Sequence, residues 1–315
     1  MSTPHVSILI PTYHYARYLP EAIESVLAQD FQDFEILISD DASTDDSAEV
    51  IGRYAAKDRR IRCQIQPANL GMVQNWNWCL SEARGNYIKF LFGDDLLASP
   101  QALTKLLNLL ESDPTAVLAA SARYIIGEDS KILGIGDEFG QAGTQRGTEV
   151  IARCLDEDHN LIGEPSVVLF RRRDASRGFS PRYKQIPDEE MWFHLLEKGA
   201  FAFTPEPLCC FRKHPKQQTE VNKADQISEL EALRLFREHY CKPYLLSRGF
   251  RQRVFDRIYQ LRKRRRRNLQ FPAELLAIEQ EFNTQMEAPA YAAYWLRRKL
   301  TRPLQNLRRW MKARA

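Results

Sequence analysis

The sequence predicts an α/β protein: a three-layer α/β/α sandwich with a mostly parallel central sheet, plus a C-terminal helical extension. Three observations predict it. From Val6 to Glu111 short apolar runs alternate with amphipathic helical patterns, polar residues follow the runs, and beyond about Asn222 the glycines nearly vanish and the pattern turns helical. In such sheets ligands sit at the carboxyl ends of the strands, so the polar residues there are where chemistry is expected.

Taken in order, Val6 to Ile10 is a buried strand. A helix follows, with Pro20 near its first turn and Ile23, Val26 and Leu27 on one face. Phe34 to Ser39 is the second strand and Asp45 to Ala56 the second helix. Ile61 to Gln66 is the third strand, Met72 to Ala83 a helix closed by Gly85, and Tyr87 to Phe92 another strand. Ser99 caps a helix that begins at Pro100 and runs to about Glu111. After a strand from Val117 to Ile125 comes a glycine-rich stretch, Gly127 to Gly147, expected to be a mobile loop. Ser166 to Phe170 and Ala200 to Thr204 are further strands, with a helix from about Glu189 to Lys198 between them. The last helices are Ile227 to His239, Arg251 to Arg267, Ala273 to Gln285 and Tyr291 to Met311. Two domains are expected, residues 1–221 and the basic helical extension 222–315.

The 315 residues are 44% hydrophobic and 27% charged, enough apolar material for a full core, which excludes disorder, collagen and a small disulfide scaffold. The net charge of +4 hides an asymmetry: from Arg251 to Ala315 there are 17 basic and 5 acidic residues, so the remainder is acidic. A basic tail on an acidic globule points to an anionic partner for the tail. The six cysteines form no C-x-x-C pair and read as small buried hydrophobes or idle thiols of a reducing compartment. The apolar run after Met1 stops at Pro11, and no stretch approaches the roughly 20 residues needed to span a bilayer. A cytoplasmic protein is expected, with membrane contact only from the surface, at the inner face of the plasma membrane.

The first strand ends in Pro11-Thr12-Tyr13 and the second in Ser39-Asp40-Asp41. If the strands are neighbours, the Tyr13 ring can stack on a base, and a carboxylate can accept the imide N–H of uracil or thymine, a donor cytosine lacks. The plainer alternative is a loop tyrosine and an aspartate capping the next helix. The fourth strand runs into Gly93-Asp94-Asp95, which is either a turn or a hard oxygen site for Mg²⁺ or Mn²⁺ holding a diphosphate. Two acidic clusters at strand ends, one beside a stacking tyrosine, are hard to obtain from turn chemistry alone.

Val6-Ser7-Ile8-Leu9-Ile10-Pro11-Thr12-Tyr13, Ser25-Val26-Leu27-Ala28-Gln29, Phe34 to Ile38 leading into Asp40-Asp41-Ala42-Ser43-Thr44-Asp45, Asn69-Leu70-Gly71, and Gly85-Asn86-Tyr87-Ile88 leading into Asp94-Asp95 together resemble the family 2 glycosyltransferases, inverting enzymes of the GT-A fold. The resemblance runs to about Gln218. It implies that Pro11 and Tyr13 line the nucleotide base, that Asp41 bonds its N3 side, that Asp94 lies against the ribose or donor sugar, and that Asp95 holds the metal. Many members have Asp-x-Asp-Asp here, whereas this chain carries Phe92 at the first position.

Inversion by direct displacement needs one carboxylate to take the acceptor's proton, while a metal stabilises the leaving diphosphate. Ile186-Pro187-Asp188-Glu189-Glu190-Met191-Trp192 resembles the family's acidic motif, and register on Trp192 puts Asp188 at the base position with Glu190 as runner-up. The same carboxylates also suit a helix N-terminus. Phe211-Arg212-Lys213-His214 resembles the family's Arg-x-His element, which implies that His214 completes the metal shell or donates to the diphosphate and that Arg212 offsets phosphate charge. Gly163-Glu164-Pro165-Ser166 resembles a segment bordering the acceptor, so Glu164 is either an acceptor contact or part of a turn.

The run Arg262 to Arg267 invites a nucleic-acid reading, but no aromatic platform accompanies it and the core is acidic. Leu300, Leu304, Leu307 and Met311 keep helical spacing, flanked by Trp295 and Trp310, with Arg298, Arg302 and Arg309 off the stripe. Such a helix suits an anionic membrane surface, or packing on the catalytic domain or a second subunit. The expected function is transfer of a sugar, with inversion, from a UDP- or dTDP-sugar to a saccharide acceptor, lipid-linked, in cell-surface polysaccharide biosynthesis. A non-catalytic nucleotide-sugar-binding member of an assembly complex is the alternative, motivated by Phe92.

Overall fold

The computed structural model describes residues 3–215, 217, 227–245, 248–265, 273–285 and 292–296. Contacts divide the chain into two units. The first comprises Met1–Cys154 and His159–Ser228, the second Leu155–Asp158 and Glu229–Ala315.

The first unit is built on one ten-stranded sheet: β1 (Val6–Thr12), β2 (Phe34–Asp40), β3 (Ile61–Ile65), β4 (Tyr87–Phe90), β5 (Leu96–Leu97), β6 (Ala116–Ile126), β7 (Ile132–Gly136), β8 (Gly143–Arg146), β9 (Val168–Arg171) and β10 (Ala200–Arg212). Its order is β3-β2-β1-β4-β9-β6-β10-β5, with β7 on β6 and β8 on β10. β3, β2, β1, β4, β6 and β10 share one direction, and β9, inserted between β4 and β6, runs against them. β1 and β2 are buried along their whole length, as the unbroken apolar runs Val6–Ile10 and Phe34–Ile38 require of strands covered on both sides.

The connections explain the covering. The helices α1 (Leu19–Leu27) and α2 (Ser47–Ala55) carry the chain outward from β1 to β3, whereas α3 (Met72–Glu82) brings it back past β1 to β4. Right-handed crossovers then place α3 on the opposite face from α1 and α2. The strand order reverses between β1 and β4, and the crevice at such a switch point is where open α/β sheets bind ligands.

The remaining helices of this unit are α4 (Ala102–Glu111), α5 (Gly147–Glu157), whose last residues enter the second unit, and α6 (Pro187–Leu196). The second unit is helical among its described residues: α7 (Ile227–His239), α8 (Arg248–Arg265) and α9 (Ala273–Gln285). It has an apolar interior of its own in which Phe236, Phe250, Ile258 and Phe282 are buried, and Arg262 donates to the buried Glu279 (2.8 Å).

Three expectations are corrected. The glycine-rich segment 127–147 is not a loop throughout, since it folds into β7 and β8, which pair antiparallel with β6 and β10. The strand expected at Ala200–Thr204 continues to Arg212, the ladder slipping register around Pro207, where proline has no N–H to give. Helix α5 was not foreseen. The expected Tyr291–Met311 helix lies outside the described residues except for 292–296, so its apolar stripe has no structural account here. No helix among the described residues is long and apolar enough to cross a membrane.

Candidate active site

β1 and β2 are parallel neighbours in register, Pro11 beside Ser39 and Thr12 beside Asp40, which brings Tyr13 and Asp41 to one rim. The turn after β1 is locked onto the turn after β2. His14, at φ 59°, donates its N–H to Ser43 Oγ (2.8 Å), and Ala16 N–H reaches Asp45 Oδ2 (3.1 Å). The Tyr13 ring is 42% exposed and stacks on the His14 ring at 4.0 Å, so one face is covered by the chain itself. Asp41 is buried and its two oxygens accept N–H bonds from Leu70 (2.7 Å) and Gly71 (3.0 Å). Gly71 takes φ +83°, which aims its amide at the carboxylate at no steric cost. The Asn69-Leu70-Gly71 motif is therefore a clamp on Asp41.

Beyond β4 the chain crosses β1 so closely that a Cβ on Gly93 would stand 2.7 Å from Thr12 Oγ1. Asp94 and Asp95 follow, both buried. Asp94 Oδ2 meets His214 Nε2 at 3.0 Å, and the His214 ring lies against Tyr15 and Tyr18. Asp95 Oδ1 accepts the Arg212 N–H (2.9 Å), whereas Oδ2 is buried without a hydrogen bond. Burial first, and then the charge of Asp94, hold the Asp95 carboxyl well above the usual carboxylate range, outweighing the nearby Ser166 hydroxyl and the Arg212 N–H. The same two carboxylates add to burial in raising the Tyr15 phenol, which stays protonated as a donor towards Asp94.

Arg212 is fully buried and its guanidinium is spent on protein: Nε donates to the Asp94 carbonyl (2.7 Å), Nη1 to the Gly127 carbonyl (3.0 Å) and Ser130 Oγ (2.9 Å), and Nη2 to Glu21 (3.0 Å). These bonds make Arg212 a bolt joining the Asp94-Asp95 turn, α1 and the β6–β7 turn.

On the other side, Asp188 stands in the first turn of α6 and accepts from Asn160 Nδ2 at 3.4 Å. Asn160 Oδ1 in turn accepts the N–H groups of Ile162 and Gly163 (3.1 Å each). Trp192 donates to the Gly163 carbonyl (3.0 Å), which ties α6 to the segment bearing Glu164. Glu190 is buried in a two-bond ion pair with Arg177 (2.7 and 2.8 Å). Glu164 pairs with Arg123 (2.9 Å), which also grips Glu138 (2.7 and 3.0 Å). Burial pushes the Glu164 carboxyl up, Arg123 pulls it down, and the net shift is upward.

Lys89, on β4, was not singled out from the sequence. It is fully buried and its ammonium donates to the carbonyls of Phe90 (3.0 Å) and Ser166, linking the base of the Asp94-Asp95 turn to the Glu164 segment. Burial lowers its pKa, and the neighbouring Cys209 and Asp95 raise it less. A lysine at an inward position of an otherwise apolar strand was the available signal. Asn160 had none, because its role depends on a loop conformation.

Among the described residues no group of three or more His, Cys, Asp and Glu is gathered to hold an ion alone. Mg²⁺-type sites commonly use one or two carboxylates plus substrate phosphates, and the unsatisfied Asp95 oxygen fits that arrangement.

A mostly parallel sheet that reverses order beside buried acids defines an open α/β protein with a ligand crevice at its switch point. Residues 7–179 match the sequence profile of glycosyl transferase family 2, and the chain belongs to that family. It is 30% identical over 245 residues to the Mycobacterium tuberculosis protein MT1568, covering 74% of each chain. It is 29% identical to the putative glycosyltransferase EpsE of Bacillus subtilis, covering 63% of this chain and 69% of that one. Among solved structures, S. aureus TarS 1-349 with UDP-GlcNAc aligns at TM-score 0.60 and 17% identity, over 74% of this chain and 65% of that one. The mannosyltransferase PcManGT of Pyrobaculum calidifontis, with GDP-Man and Mn²⁺, aligns at 0.59 and 15% over 96% and 81%. At those identities the structures bear on the fold, which is the GT-A type.

Proposed function

We propose that this chain is a metal-dependent, inverting glycosyltransferase that moves a sugar from a UDP- or dTDP-sugar to a saccharide acceptor, lipid-linked, in the making of a cell-surface polysaccharide. The observation that carries this reading is Asp95, a buried carboxylate beside the β1–β4 crevice with one oxygen left without a hydrogen bond. Such an oxygen is costly unless a proton or a cation meets it. Asp95, together with His214, which meets the adjacent Asp94, would hold Mg²⁺ or Mn²⁺, which would offset the charge of the leaving diphosphate. The Mn²⁺ in the PcManGT structure supports that choice of ion.

The chain's own residues have separable tasks in this reading. Pro11 and Tyr13 line the base, Asp41 accepts its imide N–H through lone pairs that the Leu70 and Gly71 amides leave, and Asp94 faces the ribose or sugar. Asp188 takes the proton of the acceptor hydroxyl as its oxygen attacks the anomeric carbon and the bond to the diphosphate breaks. The commitment of Glu190 to Arg177 supports Asp188 over Glu190 as this base. Glu164, held by Arg123, borders the acceptor. The domain division 1–221 and 222–315 assigns catalysis to the first part, with the basic extension holding the protein to the inner face of the plasma membrane.

A panel of UDP-, dTDP- and GDP-sugars with Mn²⁺, read by mass spectrometry, tests the reading. Turnover from a UDP- or dTDP-sugar, with the anomeric configuration of the product inverted by NMR, is the expected result. Calorimetric affinity without turnover would favour a nucleotide-sugar-binding member of an assembly complex. Phe92 favours that second reading, since it fills the first acidic position of the family's pattern with a ring packed 5.0 Å from Trp76.

A further inference from the structure

A second cavity lies at the opposite end of the strands from Tyr13, Asp94 and Asp95. His5, just before β1, Asn86 and Tyr87 at the start of β4, and Arg171 at the end of β9 line it, together with Arg172, Arg173 and Arg177. Its volume is about 780 Å³, and no Asp or Glu lines it. The crevice beside His14 and His214 differs in kind, since Asp45, Asp46, Glu49 and Glu128 line that one alongside its arginines.

The charges divide into spent and available. Arg177 is neutralised by Glu190, and His5 meets Glu111 at 3.0 Å. Arg171 gives its donors to the Ala116 and Leu110 carbonyls and the Tyr87 hydroxyl. Arg172, which lines the cavity, uses only Nε, on the Gly85 carbonyl (2.6 Å), so neither terminal nitrogen is committed to a hydrogen bond. Arg173 is 74% exposed, and its Nε is 3.9 Å from Asp174, too far for a hydrogen bond. Two adjacent guanidinium groups, one held flat by the backbone, in a cavity whose nearest carboxylate to them, Asp174, does not line it, suit the bidentate recognition of phosphoryl oxygens.

We propose that this cavity is a second anion site, separate from the donor crevice, that takes a phosphoryl group on Arg172 and Arg173, with the Asn86 amide and the Ser176 hydroxyl as neutral donors. The group is either a free phosphate or the phosphate of a lipid headgroup. The site does not depend on the glycosyltransferase reading, and it binds in the absence of a divalent ion.

The test uses the full chain in EDTA, titrated with inorganic phosphate by calorimetry and, separately, floated with phosphatidylcholine vesicles with or without phosphatidylglycerol. The variants are Arg172→Gln/Arg173→Gln and, at the exposed position alone, Arg173→Glu. Saturable phosphate binding that weakens at least about tenfold in the double variant supports a free-phosphate site. Weak phosphate binding, with phosphatidylglycerol-dependent flotation reduced in both variants to the level that the unchanged basic extension sustains, supports a lipid headgroup. Unfolding midpoints within about one degree of wild type show that the fold is kept. Equal binding by wild type and variants in both assays, or no binding in either, overturns the proposal.

Discussion

The two acidic pairs, Asp40-Asp41 beyond β2 and Asp94-Asp95 beyond β4, flank β1 and look alike in the sequence, yet the fold treats them differently. In the first pair every carboxylate oxygen accepts a hydrogen bond: Asp40 from the Ser43 N–H and hydroxyl (2.9 and 2.5 Å), and Asp41 from Leu70 and Gly71. In the second pair Asp94 holds His214, and Asp95 keeps one buried oxygen with no partner. A carboxylate whose oxygens each accept a hydrogen bond is fixed in place, whereas a missing bond leaves a group whose energy falls when a cation arrives. The first pair shapes the crevice, and the second holds its unspent chemistry.

The sharpest way to break this comparison is Asp95→Ala. Transfer should fall about a thousandfold or more, and the metal-dependent part of UDP affinity should vanish in calorimetry. Retained metal-dependent affinity would mean that the orphaned oxygen is a packing defect. Asp188→Asn comes next: turnover should drop by about 10²–10⁴, the usual worth of a general base, with donor affinity unchanged. If Glu190→Gln instead abolished turnover with the fold intact, the base would be Glu190.

Third, Asp41→Ala leaves the Leu70 and Gly71 amides without their acceptor and should cost about 1–3 kcal/mol per stranded group in chemical denaturation. Asp95→Ala should cost less, because it strands one amide, that of Arg212, and removes an oxygen that is itself unsatisfied. A larger loss for Asp95→Ala would reverse the assignment of scaffold and reactive pair.

What the sequence reveals follows the same division between local and tertiary causes. β1, β2, β3 and α3 are legible within a residue or two, because buried apolar runs and helical spacing are properties of the segment itself. β7 and β8 are not, since Ile132, Leu133 and Ile135 stay exposed and Gly143–Arg146 is polar, so only their ladders with β6 and β10 make them strands. β10 runs past the expected end at Thr204 because its ladder with β6 slips register around Pro207 and then resumes, a tertiary accommodation that the segment itself does not announce. Helix α5 could have been read from Val150, Ile151, Cys154 and Leu155, all buried on one face. At the site, the residues Tyr13, Asp41, Asp94, Asp95 and Asp188 are visible as types at strand ends and a helix start. Which of their oxygens is already bonded depends on Leu70, His214, Arg212 and Asn160, contacts between segments far apart in the chain.

The smallest expected effect is a pH dependence peculiar to Asp95. Its carboxyl is pushed above its unfolded value by burial and by Asp94. Between the two values the folded protein binds a proton that the unfolded chain has released, so this group stabilises the fold in acid. That contribution is complete below the unfolded value and is lost as pH rises through the folded one. Asp95→Asn removes the titration. The stability of the variant relative to wild type should therefore be lowest in acid and climb towards neutral pH, as measured by denaturation at a series of pH values without divalent ions. Adding Mn²⁺ with UDP should close the gap on the neutral side only, because the ion binds the carboxylate and not the acid. A difference that stays flat across the series would mean that Asp95 titrates alike in the folded and unfolded chain, and the contrast between the two acidic pairs would be lost.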